Sequence, residues 1–424
     1  MSPHRQLLPC LWVAIGVGCS SPTPDPPPSR FLQSPARERD LAPPRVPYAS
    51  DVHTGSDFDG DGFDDVALVA ETAGATSANR ALDLLVFFGG PTGPTERAPV
   101  RLHDVLDPAG RVWFEPIGDV DGDGRTDLAV GAGPGTTGAR TPMTVHHGTV
   151  SGPSEDATPL PTPFPVDEPE TFSGLAPPVA VGDVDGDGLD DVLFAGVLFA
   201  GSAEGVIARA LASTRATQEG HLAEVDGRAP TELVAGFAAY RRAPVGFEES
   251  PFMRFDRAFA IADFDGNGQV EGLRTRNADS GDWERVEWSE GGVRLIETWR
   301  DRGLEPRFLF AGSCDVSGDG LADLLMNDVR GPDSPTYLQL GHADGLEAAP
   351  SYVFTGQDYG LEGRVILRCV GDLNGDGFRD ALAYVGGSSA VFVHYGDSRG
   401  LRVPPDETLR SEDPSLPLLP APGF

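Results

Sequence analysis

The sequence predicts an all-β protein, a seven-bladed β-propeller built from four-stranded antiparallel blades. Three observations lead there. One nine-residue acidic loop returns seven times, its first positions 62, 64, 41, 39, 52 and 57 residues apart, which marks a repeat architecture. The segments beside it alternate with period 2, as in VALVAE (66–71), DLAVGA (127–132) and DALAYV (380–385), and that is the strand period. A G-x-x-x-G turn then follows, at Gly89/Gly93, Gly148/Gly152, Gly201/Gly205, Gly341/Gly345 and Gly396/Gly400, and reads as a hairpin between two outer strands. Each unit is therefore strand, acidic loop, strand, turn, strand, glycine hairpin, strand. Four antiparallel strands in about 40–60 residues is the size of one blade.

The loops read DFDGDGFDD (57–65), DVDGDGRTD (119–127), DVDGDGLDD (183–191), DFDGNGQVE (263–271), DVSGDGLAD (315–323) and DLNGDGFRD (372–380), with a worn copy, EVDGRAPTE, at 224–232. In chain order they are loops 1 to 7, the worn copy being loop 4. Oxygen-bearing side chains occupy positions 1, 3, 5 and 9. These are Asp57, Asp59, Asp61 and Asp65; Asp119, Asp121, Asp123 and Asp127; and Asp183, Asp185, Asp187 and Asp191. They continue as Asp263, Asp265, Asn267 and Glu271; Asp315, Ser317, Asp319 and Asp323; and Asp372, Asn374, Asp376 and Asp380. Alternating oxygens with glycine between them let the backbone curl around a hard cation. A backbone carbonyl near position 7 (Phe63, Arg125, Leu189, Gln269, Leu321, Phe378) completes a set that suits Ca²⁺ better than the tighter Mg²⁺ octahedron. An acidic Asp-Gly turn is the bland alternative, and six near-intact copies weigh against it. An EF-hand needs an acid at position 12 and flanking helices; position 12 here is Leu68, Val130, Phe194, Arg274, Met326 or Ala383, and the flanks are strand-like.

Two more positions are constrained. Position 2 is always apolar (Phe58, Val120, Val184, Val225, Phe264, Val316, Leu373) and should plug into the core. The residue before the loop is always small (Ser56, Gly118, Gly182, Ala223, Ala262, Cys314, Gly371), which points to a crowded place. Glycine at positions 4 and 6 permits φ > 0.

The D-x-D-G-D-G-x-x-D loop between the first two strands of each unit resembles the FG-GAP repeat, also called the VCBS or integrin-alpha-type repeat, over roughly residues 48–410. That resemblance implies a seven-bladed propeller whose loops bind Ca²⁺, here up to six ions. Loop 5 departs with Asn267 and Glu271, and loop 6 with the neutral Ser317. In the worn copy Arg228 stands at position 5, where it is expected to replace the ion by pairing with Glu224 or Glu232.

At the N-terminus, His4 and Arg5 precede an apolar stretch, Leu7 to Gly18, too short to span a bilayer. Residues 1–18 read as a signal peptide. Small residues before Cys19 resemble a bacterial lipoprotein signal, with Gly16 where that signal has Leu; an ordinary secretion signal is the alternative. Residues 19–47 are Pro-rich, a semi-rigid tether. The tail, 411–424, is also Pro-rich and is expected to be loose. Cys314 and Cys369 lie on innermost strands of neighbouring blades and either pair, as an oxidising compartment permits, or stay as buried thiols.

Net charge is −33, and all 32 basic residues are Arg. Such an acidic surface disfavours nucleic acid and anionic lipid, leaving a lipid anchor as the membrane link. Without Lys there is no P-loop and no Schiff base, and H-E-x-x-H and G-x-S-x-G are absent. His146 and His147 are adjacent on a strand and point to opposite faces; packing or surface roles suit them better than catalysis. Trp283, Trp288 and Trp299 read as core filling before a sugar platform, and Arg241-Arg242 as a solvated pair. The expectation is a non-enzymatic, exported module that binds protein or glycan at a bacterial outer membrane or cell surface. A propeller-based polysaccharide lyase or hydrolase, and a structural envelope component, are the alternatives.

Overall fold

The computed structural model describes residues 56–71, 82–106, 112–132, 143–160, 178–194, 197–206, 210–213, 220–223, 232–235, 238–241, 243, 247–248, 253–254, 258–267, 271–275, 283–289, 292–299, 309–328, 331–346, 349–386, 388–410 and 418–419. The signal, Cys19, the tether, Gln269 and residues 224–231 of the worn loop, Arg228 among them, lie outside them.

The described residues form an all-β fold with seven four-stranded antiparallel sheets. Sheet 2 sets the pattern with Val112–Pro116, Leu128–Ala132, Thr144–His146 and Ala157–Pro159, adjacent in that order. Its acidic loop joins the first two strands. Sheets 3 to 7 repeat this order along the chain. A two-stranded ribbon, Gly396–Asp397 with Gly400–Leu401, elaborates the last glycine hairpin.

Sheet 1 is assembled differently, and here the expected loose tail is corrected. Its strands are Val66–Glu71, Leu82–Phe87 and Val100–Leu106, and the fourth is Leu418–Leu419, paired antiparallel to the first. Ala70 faces Leu418 and Val69 faces Leu419. The pair takes the place that Val112–Pro116 holds in sheet 2. Leu418 is fully buried among Leu68, Val391, Val393 and Leu409, and its N–H donates to the Ser389 carbonyl at 3.1 Å. Two leucines hidden among prolines carry too weak a periodicity to read as a strand.

The core lies between successive sheets. Leu68 packs toward sheet 7, with Leu382 and Val393, while its neighbour Val69 packs toward sheet 2, with Phe114 and Val130. Leu325 and Leu324 divide in the same way between sheets 7 and 5. The strand after the loop is thus covered on both faces, and Ala381–Val385 is buried at every residue. Trp283 fills the core between sheets 5 and 6 beside Phe264, Leu273 and Met326.

Neighbouring loops interlock. The position-8 N–H donates to the position-1 carbonyl of the preceding loop: Thr126 to Asp57 (2.8 Å), Asp190 to Asp119 (3.0 Å) and Ala322 to Asp263 (3.1 Å). Loop 1 makes the same bond to loop 7, Asp64 to Asp372 at 3.1 Å. Glycine at position 4 leaves room for the next loop's position-7 side chain. A Cβ at Gly122 would lie 2.5 Å from Leu189, at Gly266 2.4 Å from Leu321, at Gly318 2.6 Å from Phe378, and at Gly375 2.4 Å from Phe63. The small residue before the loop has a similar reason. A Cβ at Gly118 would meet the Asp190 carboxylate at 2.2 Å. The disulfide Cys314–Cys369 joins the first strands of sheets 6 and 7, Leu309–Cys314 and Val365–Cys369.

Candidate metal centres

Each described loop is shaped by its position-1 carboxylate. Asp57 accepts the N–H groups of Gly60 (2.6 Å), Asp61 (3.1 Å) and Gly62 (2.8 Å). Asp119, Asp183, Asp315 and Asp372 make the same three bonds. Asp263 accepts from Gly266 and Asn267. The curl needs a left-handed residue at position 6, where Gly62, Gly124, Gly188, Gly320 and Gly377 have φ between 85° and 92°. A Cβ there would meet nothing, so conformation and not crowding selects glycine. Position 3 accepts the position-5 N–H, as Asp59, Asp121, Asp185, Asp265 and Asn374 do, and position 5 accepts the position-7 N–H. Those position-7 donors are Phe63, Arg125, Leu189, Leu321 and Phe378. In loop 6, Ser317 directs its hydroxyl to the Asp315 carboxylate at 3.3 Å.

Position 9 is the buried arm. Asp65 accepts from Phe58 N–H at 2.8 Å and Gly89 N–H at 2.9 Å, tying the apolar plug to the first glycine of the hairpin. Asp127, Asp191, Asp323 and Asp380 repeat the tie. The plugs are as buried as expected: Phe58, Val120, Phe264, Val316 and Leu373 are wholly so. That first glycine is packed between backbones. A Cβ at Gly201 would lie 2.8 Å from the Val120 carbonyl of the preceding loop.

Burial opposes charge on these arms and is the largest influence on each. It pushes Asp65 and Glu271 up to about 8, Asp323 and Asp380 to about 7, and Asp127 to about 6, with Asp191 also raised. The N–H donors and, at Asp127, His147 act in the other direction without outweighing it. Carboxylates forced together and dried in this way are what a divalent cation would relieve. In loops 1, 2, 3 and 5, carboxylate oxygens converge to within 4.8 Å of one another, among them Asp57, Asp59 and Asp61, and Asp183, Asp185 and Asp191. Hard oxygens at this spacing are compatible with a divalent cation.

Basic side chains that sequence reading left aside reach the loops. His147, given only a packing or surface role, sets Nδ1 3.2 Å from Asp121 and 3.3 Å from Asp127. Arg97 pairs with Asp59 at 2.5 Å and lies over the Phe88 ring, while half of its side chain stays in solvent. Arg402 reaches Asp376 at 3.2 Å. In loop 5, Arg285 lies 3.6 Å from both Asp265 and Glu271, and unlike the others it is buried. The other histidine, His146, turns inward and bonds through Nδ1 to the Ser154 carbonyl at 2.8 Å.

The profile of the FG-GAP-like repeat matches residues 119–194, which span loops 2 and 3 and the strands between them. The chain carries an FG-GAP-like repeat. Integrin alpha-IIb of Homo sapiens is similar at 33% identity, over 30% of this chain and 15% of the integrin, so the chain spans under a sixth of that relative's length. Among solved structures, rhamnogalacturonan lyase YesW aligns over 88% of this chain and 77% of its own at 13% identity, with a TM-score of 0.43. A Lactobacillus plantarum protein aligns over 84% and 97% at 8% identity and 0.46. An Agrocybe aegerita protein described as recognising non-reducing terminal N-acetylglucosamine aligns over 82% and 81% at 15% identity and 0.35.

Proposed function

We propose that this FG-GAP repeat protein is an exported, Ca²⁺-stabilised seven-bladed β-propeller that binds a protein or glycan at a bacterial cell surface. One observation carries the reading: loops 7, 1, 2 and 3 form a continuous hydrogen-bonded belt in which the sequence-distant pair, 7 and 1, meets as neighbours do. That contact supports a ring of seven sheets presenting its acidic loops together. Ca²⁺ in the acidic loops would be held by positions 1, 3, 5 and 9 and would offset part of the −33 charge. Its chemistry there is structural.

Two of the histidines serve the core. His394 donates Nδ1–H to the Arg402 carbonyl at 2.7 Å and accepts the Tyr359 hydroxyl at 2.8 Å, fully buried, and His146 is likewise tied into the core. Attachment to the outer membrane would run through a lipid on Cys19 and the Pro-rich tether. The test is a glycan array and an envelope pull-down, each with and without Ca²⁺, followed by an activity screen on whatever binds. Ca²⁺-dependent capture without turnover is expected. Cleavage of a captured polysaccharide would replace the reading with a lyase or hydrolase.

A further inference from the structure

Loop 5 holds a cation that the chain itself supplies. Two residues after position 9, the second strand of each sheet faces a residue of the third strand. That residue is Val86, Val145, Leu198, Ala239, Leu338 or Val393 in the other six sheets. All six are apolar and buried. In sheet 5 the residue facing Leu273 is Arg285. A guanidinium, 4% exposed, therefore occupies an apolar column of the core. Burying a charge there is costly unless opposite charge comes with it.

The opposite charge is loop 5. Arg285 Nη1 lies 3.6 Å from Asp265 Oδ2 and 3.6 Å from Glu271 Oε1, positions 3 and 9 of the loop. Arg285 Nε and Nη1 and Glu271 Oε1 are all buried and make no hydrogen bond among the described residues. The third nitrogen, Nη2, donates to the Asp344 carbonyl of sheet 6 at 3.3 Å. Sheet 6 also provides the space. A Cβ on Gly345 would lie 2.2 Å from Nη1, so this glycine keeps a slot for the guanidinium. Arg97 and Arg402, by contrast, keep 44% and 40% of their side chains exposed and can swing off their loops.

We propose that Arg285 fills the cation place of loop 5, which consequently takes no Ca²⁺ where the other loops do. Loop 5 is also the one with Asn267 at position 5 and the longer Glu271 at position 9. The proposal rests on the reading that the remaining loops bind Ca²⁺, but its decisive test does not.

The test uses the full chain and compares the position-3 variants Asp265→Asn and Asp185→Asn in chelator. Asp185→Asn should raise the melting temperature, because loop 3 loses one of four crowded carboxylates. Asp265→Asn should lower it, because Arg285 loses a partner. Shifts of the same sign would overturn the proposal. In millimolar Ca²⁺, native mass spectrometry should find one ion fewer in Asp185→Asn and an unchanged count in Asp265→Asn. An ion lost from Asp265→Asn would equally overturn it. If no variant and no wild-type chain holds Ca²⁺, the stabilisation reading fails while the opposite-sign melts still decide loop 5. Arg285→Leu, which restores the apolar column, should gain one Ca²⁺ and become more Ca²⁺-dependent than the wild type; gaining none while folded would count against the assignment.

Discussion

Asp64 and Asp372 stand 308 residues apart and exchange two hydrogen bonds. The Asp64 N–H donates to the Asp372 carbonyl at 3.1 Å, and the Asp64 carboxylate accepts the Asp372 N–H at 2.6 Å. Asp190 and Asp119 make the same reciprocal pair, at 3.0 and 2.8 Å, between loops adjacent in sequence.

Replacing Asp64 with Ala removes a charge-assisted bond to a part-buried N–H, which costs about 1–2 kcal/mol. Asp190→Ala is the matched control. Urea unfolding of both variants should give similar losses if the 7–1 junction equals any other. No loss at Asp64 alone would show that this contact does not bear on stability.

Ending the chain at Arg410 removes Leu418 from the core. Burial of one leucine is worth about 2 kcal/mol, and the first sheet also loses a strand. Thermal melts should place the shortened chain several degrees below the full one. Coincident melts would mean that the strand at 418–419 contributes nothing.

Stability should depend on pH with an unusual sign. Asp65, Asp323 and Asp380 hold protons in the folded state up to about 7 or 8, whereas unfolded carboxyls release them near pH 4. Between those values the folded chain binds more protons, so its stability falls as pH rises. In chelator the melting temperature should decline from pH 5 to pH 8. Ca²⁺ binds the deprotonated ligands, so its stabilising effect should grow over the same range. A chelated protein most stable at pH 8 would contradict this.

The Cys314–Cys369 bond closes a 55-residue separation, for which chain entropy gives roughly 4 kcal/mol. Denaturant unfolding with and without reductant should differ by an amount of that order. Cys314→Ser should reproduce the reduced curve. A reductant-insensitive midpoint would exclude a stabilising bridge.

Detergent partitioning checks the anchor. The exported protein should enter the detergent phase, and Cys19→Ala should release it or block its maturation. Recovery of the wild type in a soluble fraction with Cys19 unmodified would leave an ordinary secreted protein.

What could be read from the sequence is what acts within a few residues. Positions 1, 3, 5 and 9 and the plug at position 2 meet inside one loop, so their spacing displays their geometry. Arg285 was not legible in that way, because its meaning lies in cross-strand register: it faces Leu273, and only alignment on that pair reveals a charge where six sheets have an apolar residue. The Asp64 contact is equally remote in sequence. The two-residue strand at 418–419 offers no period at all, and its Pro-rich setting points the other way.

The strand at 418–419 also sets a timetable. Val66–Glu71 emerges from the ribosome about 350 residues before its partner, so its edge stays unpaired through most of synthesis. The first sheet is complete only once the late leucines arrive, and a fragment lacking them bears an open edge as the mark of its incompleteness.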